Sequence, residues 1–209
     1  MNKYLVELVG TFFLVFTIGC TVIGNGAGAV APLAIGSALM VMVFAGGHIS
    51  GGHYNPAVTL GVWLRGKCAA KDVAPYMASQ IIGSVLAALA VKYLKTGTVV
   101  TPMSLNTLPA LLAEFLFTFA LVFVVLNTAT AKGTAGNSFY GLAIGFTVMS
   151  GAFAVGNISG GAFNPAVAVG ISTMRLAEWS NIWIYWTAEF VAAAAAALLF
   201  KAVNPGADS

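Results

Sequence analysis

Residues Leu33–Gly61, LAIGSALMVMVFAGGHISGGHYNPAVTLG, return as Leu142–Gly170, LAIGFTVMSGAFAVGNISGGAFNPAVAVG, 109 positions later and without a gap. Seventeen of the 29 aligned positions are identical. A self-match of this length means two copies of one structural unit, so the fold of one half dictates that of the other. The match reaches beyond this block. Glu7-x-x-x-Thr11 with Leu14-Val15-Phe16 corresponds to Glu114-x-x-x-Thr118 with Leu121-Val122-Phe123, and Tyr76 and Gln80 correspond to Tyr185 and Glu189. The chain therefore reads as one domain, 1–209, made of a first repeat over 1–97 and a second over 104–209.

What each copy contains follows from its polarity. Only 7% of the 209 residues are charged, against about 25% in ordinary soluble domains, while 59% are hydrophobic and the mean hydropathy is +0.93. Such a chain cannot cover a water-exposed surface, which excludes a cytosolic enzyme, a disordered chain and a nucleic-acid binder. Cys20 and Cys68, the only cysteines, exclude a disulfide scaffold. A bilayer-spanning helix needs about 20 apolar residues. Six stretches qualify: Tyr4–Ile23, Pro32–His48, Val73–Tyr93, Leu108–Ala131, Phe139–Asn157 and Glu178–Ala202. The first resembles a signal peptide, but Glu7 lies inside it and no A-x-A-like site closes it, so it reads as a retained helix. Two shorter stretches, Asn55–Leu64 and Asn164–Met174, are too short to cross and read as re-entrant.

Each copy thus holds three crossings and one short segment. Three is odd, so the second copy enters the membrane from the opposite side. The expected fold is an all-α polytopic membrane protein: six transmembrane helices plus two re-entrant half-helices in an inverted repeat. The short segments should meet near the bilayer midplane, N-terminus to N-terminus. Orientation follows from the basic residues. With the N-terminus inside, Lys3, Arg65, Lys67, Lys71, Lys132 and Lys201 are cytoplasmic, and Lys92, Lys95 and Arg175 are outside, six against three. Both termini are then cytoplasmic, and the +3 net charge needs no acidic partner.

Asn55-Pro56-Ala57 and Asn164-Pro165-Ala166 open the short segments. Asn is a preferred N-cap, and Pro is favoured at the first helical position, where no N–H is needed. Each helix N-terminus carries about half a positive charge, so two facing ends oppose cations while accepting lone pairs. Before each Asn lies Ile-Ser-Gly-Gly, Ile49–Gly52 and Ile158–Gly161. Non-helical backbone at membrane depth must be buried or line a wet cavity. Here it would offer carbonyls opposite apolar walls, a path for a small neutral polar molecule.

Two NPA triplets, each following ISGG and each opening a short segment of an inverted repeat, carry a resemblance over the whole chain to the aquaporins, or major intrinsic proteins. The resemblance implies a passive channel for water and other small neutral solutes (ammonia, urea, hydrogen peroxide, glycerol) that excludes protons and ions. It implies that Asn55 and Asn164 donate to water in single file. It also implies a carbonyl ladder from Gly51, Gly52, His53, Gly160, Gly161 and Ala162. Its outer constriction falls, by gapless counting, on Ile35, Ala152, Gly161 and Val167. A typical water-selective member has an aromatic, a His, a small residue and an Arg there. This chain has no aromatic, no His and no Arg at those places, and Val167 stands where Arg is usual. Ile35 and Ala168 replace the Trp and Asp of glycerol facilitators, and Tyr185-Trp186 is similar to the water-channel branch. A homotetramer in the plasma membrane is implied by resemblance alone. No cofactor, metal or nucleic-acid partner is expected; the partners are small solutes and the lipid bilayer.

Glu7, Glu114 and Glu189 lie inside spans, where an unpaired charge costs about 2.5–3.5 kcal/mol by the lower estimates. The repeat symmetry of Glu7 and Glu114 points to acceptors for backbone N–H groups of the re-entrant loops, against a proton relay. Glu189, opposite Gln80 in the repeat, is expected to be a structural hydrogen-bonding residue, buried or partly protonated. His53 is expected at the cytoplasmic mouth, with a pH gate as the other reading, and His48 is expected to pack. The competing function is a secondary transporter, since inverted repeats with half-helices build those too. Asn, Pro, Ala and Gly on the axis, with no converging titratable groups, favour the channel. No nucleophile–base pair suggests an enzyme.

Overall fold

The computed structural model describes residues 1–205; the end of the expected second repeat, 206–209, lies outside the described residues. Among the described residues eight α-helices follow one another: α1 Asn2–Val22, α2 Ala31–Ser50, α3 Pro56–Leu64, α4 Ala70–Leu94, α5 Thr107–Val125, α6 Tyr140–Ser159, α7 Pro165–Thr173 and α8 Ile182–Val203. Six of these, with their flanking turns, are long and apolar enough to cross a membrane, and α3 and α7, of 9 residues each, are not. Apolar length at the spans and Asn-Pro at the short helices thus specify the element order.

The helix pairing repeats itself. Helix α1 lies against α2 and α4, as α5 lies against α6 and α8; α4 meets α7 as α8 meets α3; and α2 crosses α6. Small residues set the closest crossings. A β-carbon on Gly83 would strike the backbone carbonyl of Leu8, so α4 and α1 touch backbone to backbone there. Gly36 and Gly145 oppose each other's carbonyls where α2 crosses α6. Without a hydrophobic force between helices in lipid, such close packing supplies much of the cohesion.

The surface is apolar where lipid would lie: Leu5, Phe13, Ile82, Leu89, Leu116 and Phe153 are among the exposed side chains. Trp179, Trp183 and Trp186 are exposed around the start of α8, the placement of an interfacial aromatic belt. Helix ends differ from the hydropathy limits where polar residues join the helix. Helix α4 begins at Ala70, three residues before the apolar run, because Asp72 receives Lys3 Nζ at 2.6 Å and Tyr4 Oη at 2.7 Å. Helix α5 ends at Val125 and widens into a π-helical turn, Leu126–Thr130. There Asn127, Thr128 and Thr130 side chains donate to the carbonyls of Phe123, Val124 and Leu126.

Candidate functional site

Helices α2 and α6 stop at glycines in the left-handed region, Gly51 at φ 91° and Gly160 at φ 90°. Gly52 and Gly161 follow at 63° and 64°. A side chain at these angles is strained, which accounts for the glycine pairs in both loops. Two residues on, Tyr54 and Phe163 also take positive φ, 49° each. They bear that strain because their N–H groups are held by a carboxylate. Glu7 Oε1 accepts from Ser50 Oγ at 2.7 Å and His53 N at 2.9 Å, and Oε2 accepts from Tyr54 N at 2.6 Å. Glu114 repeats this with Ser159 Oγ at 2.6 Å, Ala162 N at 3.0 Å and Phe163 N at 2.7 Å. Both glutamates are fully buried. Tyr76 and Tyr185 complete each frame by donating to Ser50 O and Ser159 O, both at 2.7 Å.

The loops deliver Asn55 and Asn164 as N-caps of α3 and α7. Asn55 Oδ1 accepts from Ala57 N at 2.8 Å and Val58 N at 3.3 Å; Asn164 Oδ1 accepts from Ala166 N at 2.9 Å and Val167 N at 3.4 Å. The amide nitrogens cross the axis: Asn55 Nδ2 donates to Phe163 O at 2.8 Å, and Asn164 Nδ2 to Tyr54 O at 2.9 Å. An amide nitrogen has two N–H groups, so each keeps one beyond its bond to the opposite loop.

Both asparagines line a narrow cavity of about 60 Å³ along the bundle axis. Ile35, Ala152, Gly161 and Val167 line the same cavity, as do Gly52, His53, Gly160 and Ala162. Gly51 instead borders wider recesses at the face carrying the N-terminus. Apolar side chains from α1, α2, α5 and α6, including Leu14, Leu39, Leu121 and Val148, form the rest of the wall. Among the described residues, no Asp, Glu, Lys or Arg side chain lines it. Pro56, Ala57, Pro165 and Ala166 are buried behind the asparagines as the first residues of the half-helices.

His53 borders both the narrow cavity and the recess at the N-terminal face. Its Nδ1 lies 3.1 Å from Thr59 Oγ1, and its ring leans on Tyr76 at 5.0 Å. His48, expected to pack, is exposed at the end of α2 and borders a neighbouring recess. Among the described residues, no three His, Cys, Asp or Glu side chains converge where a metal ion could sit. The serines of the two ISGG stretches, the tyrosines of α4 and α8 and the crossing asparagine bonds carry the loops beside the glutamates. The serines and tyrosines were visible as repeat matches, but their partners lie 26 to 45 positions away, and those of the asparagine amides 108 and 110.

The family model for major intrinsic proteins matches residues 1–200. A protein named probable aquaporin TIP4-1 from Oryza sativa subsp. japonica is 36% identical over 220 residues, covering 97% of this chain and 87% of its own. Glycerol uptake facilitator protein-like 6 from Lactiplantibacillus plantarum is 37% identical over 215 residues, covering 98% of this chain and 99% of its own. Among solved structures, the aquaglyceroporin from Plasmodium falciparum superposes with a TM-score of 0.78 at 21% identity, covering 99% and 98% of the two chains. That likeness is one of fold.

Proposed function

From the premise that the chain belongs to the major intrinsic protein family, channels for water and small solutes such as glycerol, we propose that its pore follows the axial cavity and admits a broad set of small neutral solutes. Water, ammonia, urea, hydrogen peroxide and glycerol are the candidates. The carrying observation is the cavity wall. Ile35, Ala152, Gly161 and Val167 share it with Asn55 and Asn164, and among the described residues no Asp, Glu, Lys or Arg side chain enters it. Three of these four positions offer only apolar side chains and the fourth has none. A fixed cation there would hold water by hydrogen bonds and narrow the opening, whereas Val167 does neither. Exclusion of cations and protons then rests on the facing ends of α3 and α7, each with about half a positive charge, and on the two free asparagine N–H groups. A water that donates to a carbonyl on one side and accepts from an asparagine at the centre cannot pass a proton straight along the file.

An integral multi-pass protein of this family sits in a bilayer. We assign both termini to the cytoplasm on the six-to-three distribution of basic residues, the plasma membrane as its location, and a homotetramer as its assembly.

Stopped-flow light scattering on proteoliposomes tests the reading with water, glycerol, urea, ammonia and peroxide on one preparation. Expected are fast osmotic shrinkage with a low activation energy, measurable ammonia and urea flux, and no proton current. Saturable uptake coupled to an ion gradient would overturn the channel in favour of a transporter. Water flux without any other solute would overturn the broad selectivity.

A further inference from the structure

Glu189 breaks the symmetry of its surroundings. At the matching place in the first half, Gln80 Nε2 donates to Glu7 Oε2 at 2.7 Å and to Thr59 Oγ1 at 3.0 Å. Glu189 holds the corresponding place on α8, which packs against the α5 helix that bears Glu114, but it has no amide to give. Glu189 Oε1 accepts from Asn164 N at 2.8 Å, and no donor reaches Oε2. Glu114 supplies none, since its oxygens already accept from Ser159 Oγ, Ala162 N and Phe163 N. Both side chains are fully buried. Two ionised carboxylates in contact away from water repel each other and lose their hydration, and one proton between them removes both costs.

We propose that Glu189 is a positioning residue that works as a carboxylic acid. Its Oε2 keeps a proton and donates it as a hydrogen bond to the Glu114 carboxylate, while Oε1 holds the backbone N–H of Asn164. In this form Glu189 is an uncharged counterpart of Gln80. Each half then has one negative charge behind its loop, and the positive end of α7 faces the pore with the same backing as that of α3. Loss of the proton to solvent base would leave two adjacent negative charges behind α7, opposing that positive end and straining the bond to Asn164.

Few other groups bear on this proton. Helix α5 contributes only Glu114 among titratable residues. On α8 itself, Tyr185 lies one turn earlier with its hydroxyl donating to Ser159 O, and Lys201 is exposed near the far end. The helices α3 and α7, the turn 126–130 and the turn 179–181 contain no titratable side chain. Arg65, just after α3, stacks over Phe200 at 4.8 Å, well along α8.

The transport consequence rests on the channel reading, whereas the retained proton does not, so two readouts separate them. Infrared spectroscopy of the reconstituted protein at neutral pH should show the C=O stretch of a buried protonated carboxylic acid. That band should vanish in E189Q, and Q80E should add a second one by placing the same pair in the first half. In flux assays E189A, which removes both bonds, should lower water permeability several-fold, and E189Q should rescue it. Wild-type permeability should fall at alkaline pH while E189Q stays level. A spectrum without the band, a band unchanged in E189Q, failure of E189Q to fold, or the same alkaline fall in E189Q would overturn the proposal. Absence of water flux in every variant would overturn the channel reading and leave the infrared result to decide the proton.

Discussion

Asn55 and Asn164 each use one side chain for two tasks, capping their own half-helix and tying it to the opposite loop. The capping was readable from Asn-Pro alone. The tie was not, because its acceptor is a carbonyl 108 or 110 positions away with no marker in the sequence. Glu7 and Glu114 were recognised by their matching places in the repeat, and the four donors on Glu7 and three on Glu114 explain why a carboxylate is needed there. In Glu7→Ala, the N–H groups of His53 and Tyr54 lose their acceptor in a buried site. At about 1–3 kcal/mol for each stranded group, thermal unfolding in detergent should shift down sharply, and little folded protein should be recovered. Glu7→Gln, which keeps an acceptor, should be milder. At the cavity wall, Val167→Arg should cut urea and ammonia flux more than water flux in the same vesicles. Equal loss for all solutes would show that Val167 does not set selectivity.

Among the elements, the six long helices were legible because apolar length is a local property, and the two half-helices because Asn-Pro after Gly-Gly is a local start signal. Helix ends were less legible. Asp72 draws α4 beyond its apolar run through bonds to Lys3 and Tyr4, nearly 70 positions away. The turn after Val125 widens where the side chains of Asn127, Thr128 and Thr130 each bond back to a carbonyl four residues earlier. The small residues on the spans pointed to close contacts without saying where they fall. Gly83 marks one, since any side chain there meets the Leu8 carbonyl. Gly83→Leu should therefore splay α1 from α4. Overpacking of this kind costs about 1–3 kcal/mol, read as a lower unfolding temperature in detergent with a matching loss of osmotic permeability. The exposed Leu89, on the same helix, should tolerate Leu→Ile in both assays.

For the whole molecule, the gapless repeat and the odd number of crossings were enough to derive the inverted architecture and the meeting of the short segments, while the two NPA triplets after ISGG carried the resemblance to the family. Hydropathy and repetition are summed over many residues, so they survive without any knowledge of contacts. The charge-free cavity wall was partly derivable too, since Val167 stands where the resemblance expects Arg. Three things depended on the tertiary structure. They are the crossing of the asparagine amides, the seating of the His53 ring against Thr59 and Tyr76, and the bond from Asn164 N to Glu189. Each is a meeting of single polar groups whose partners are set by how whole helices cross. A hydrogen bond is decided within a few tenths of an ångström, and no periodicity of the chain carries information at that precision.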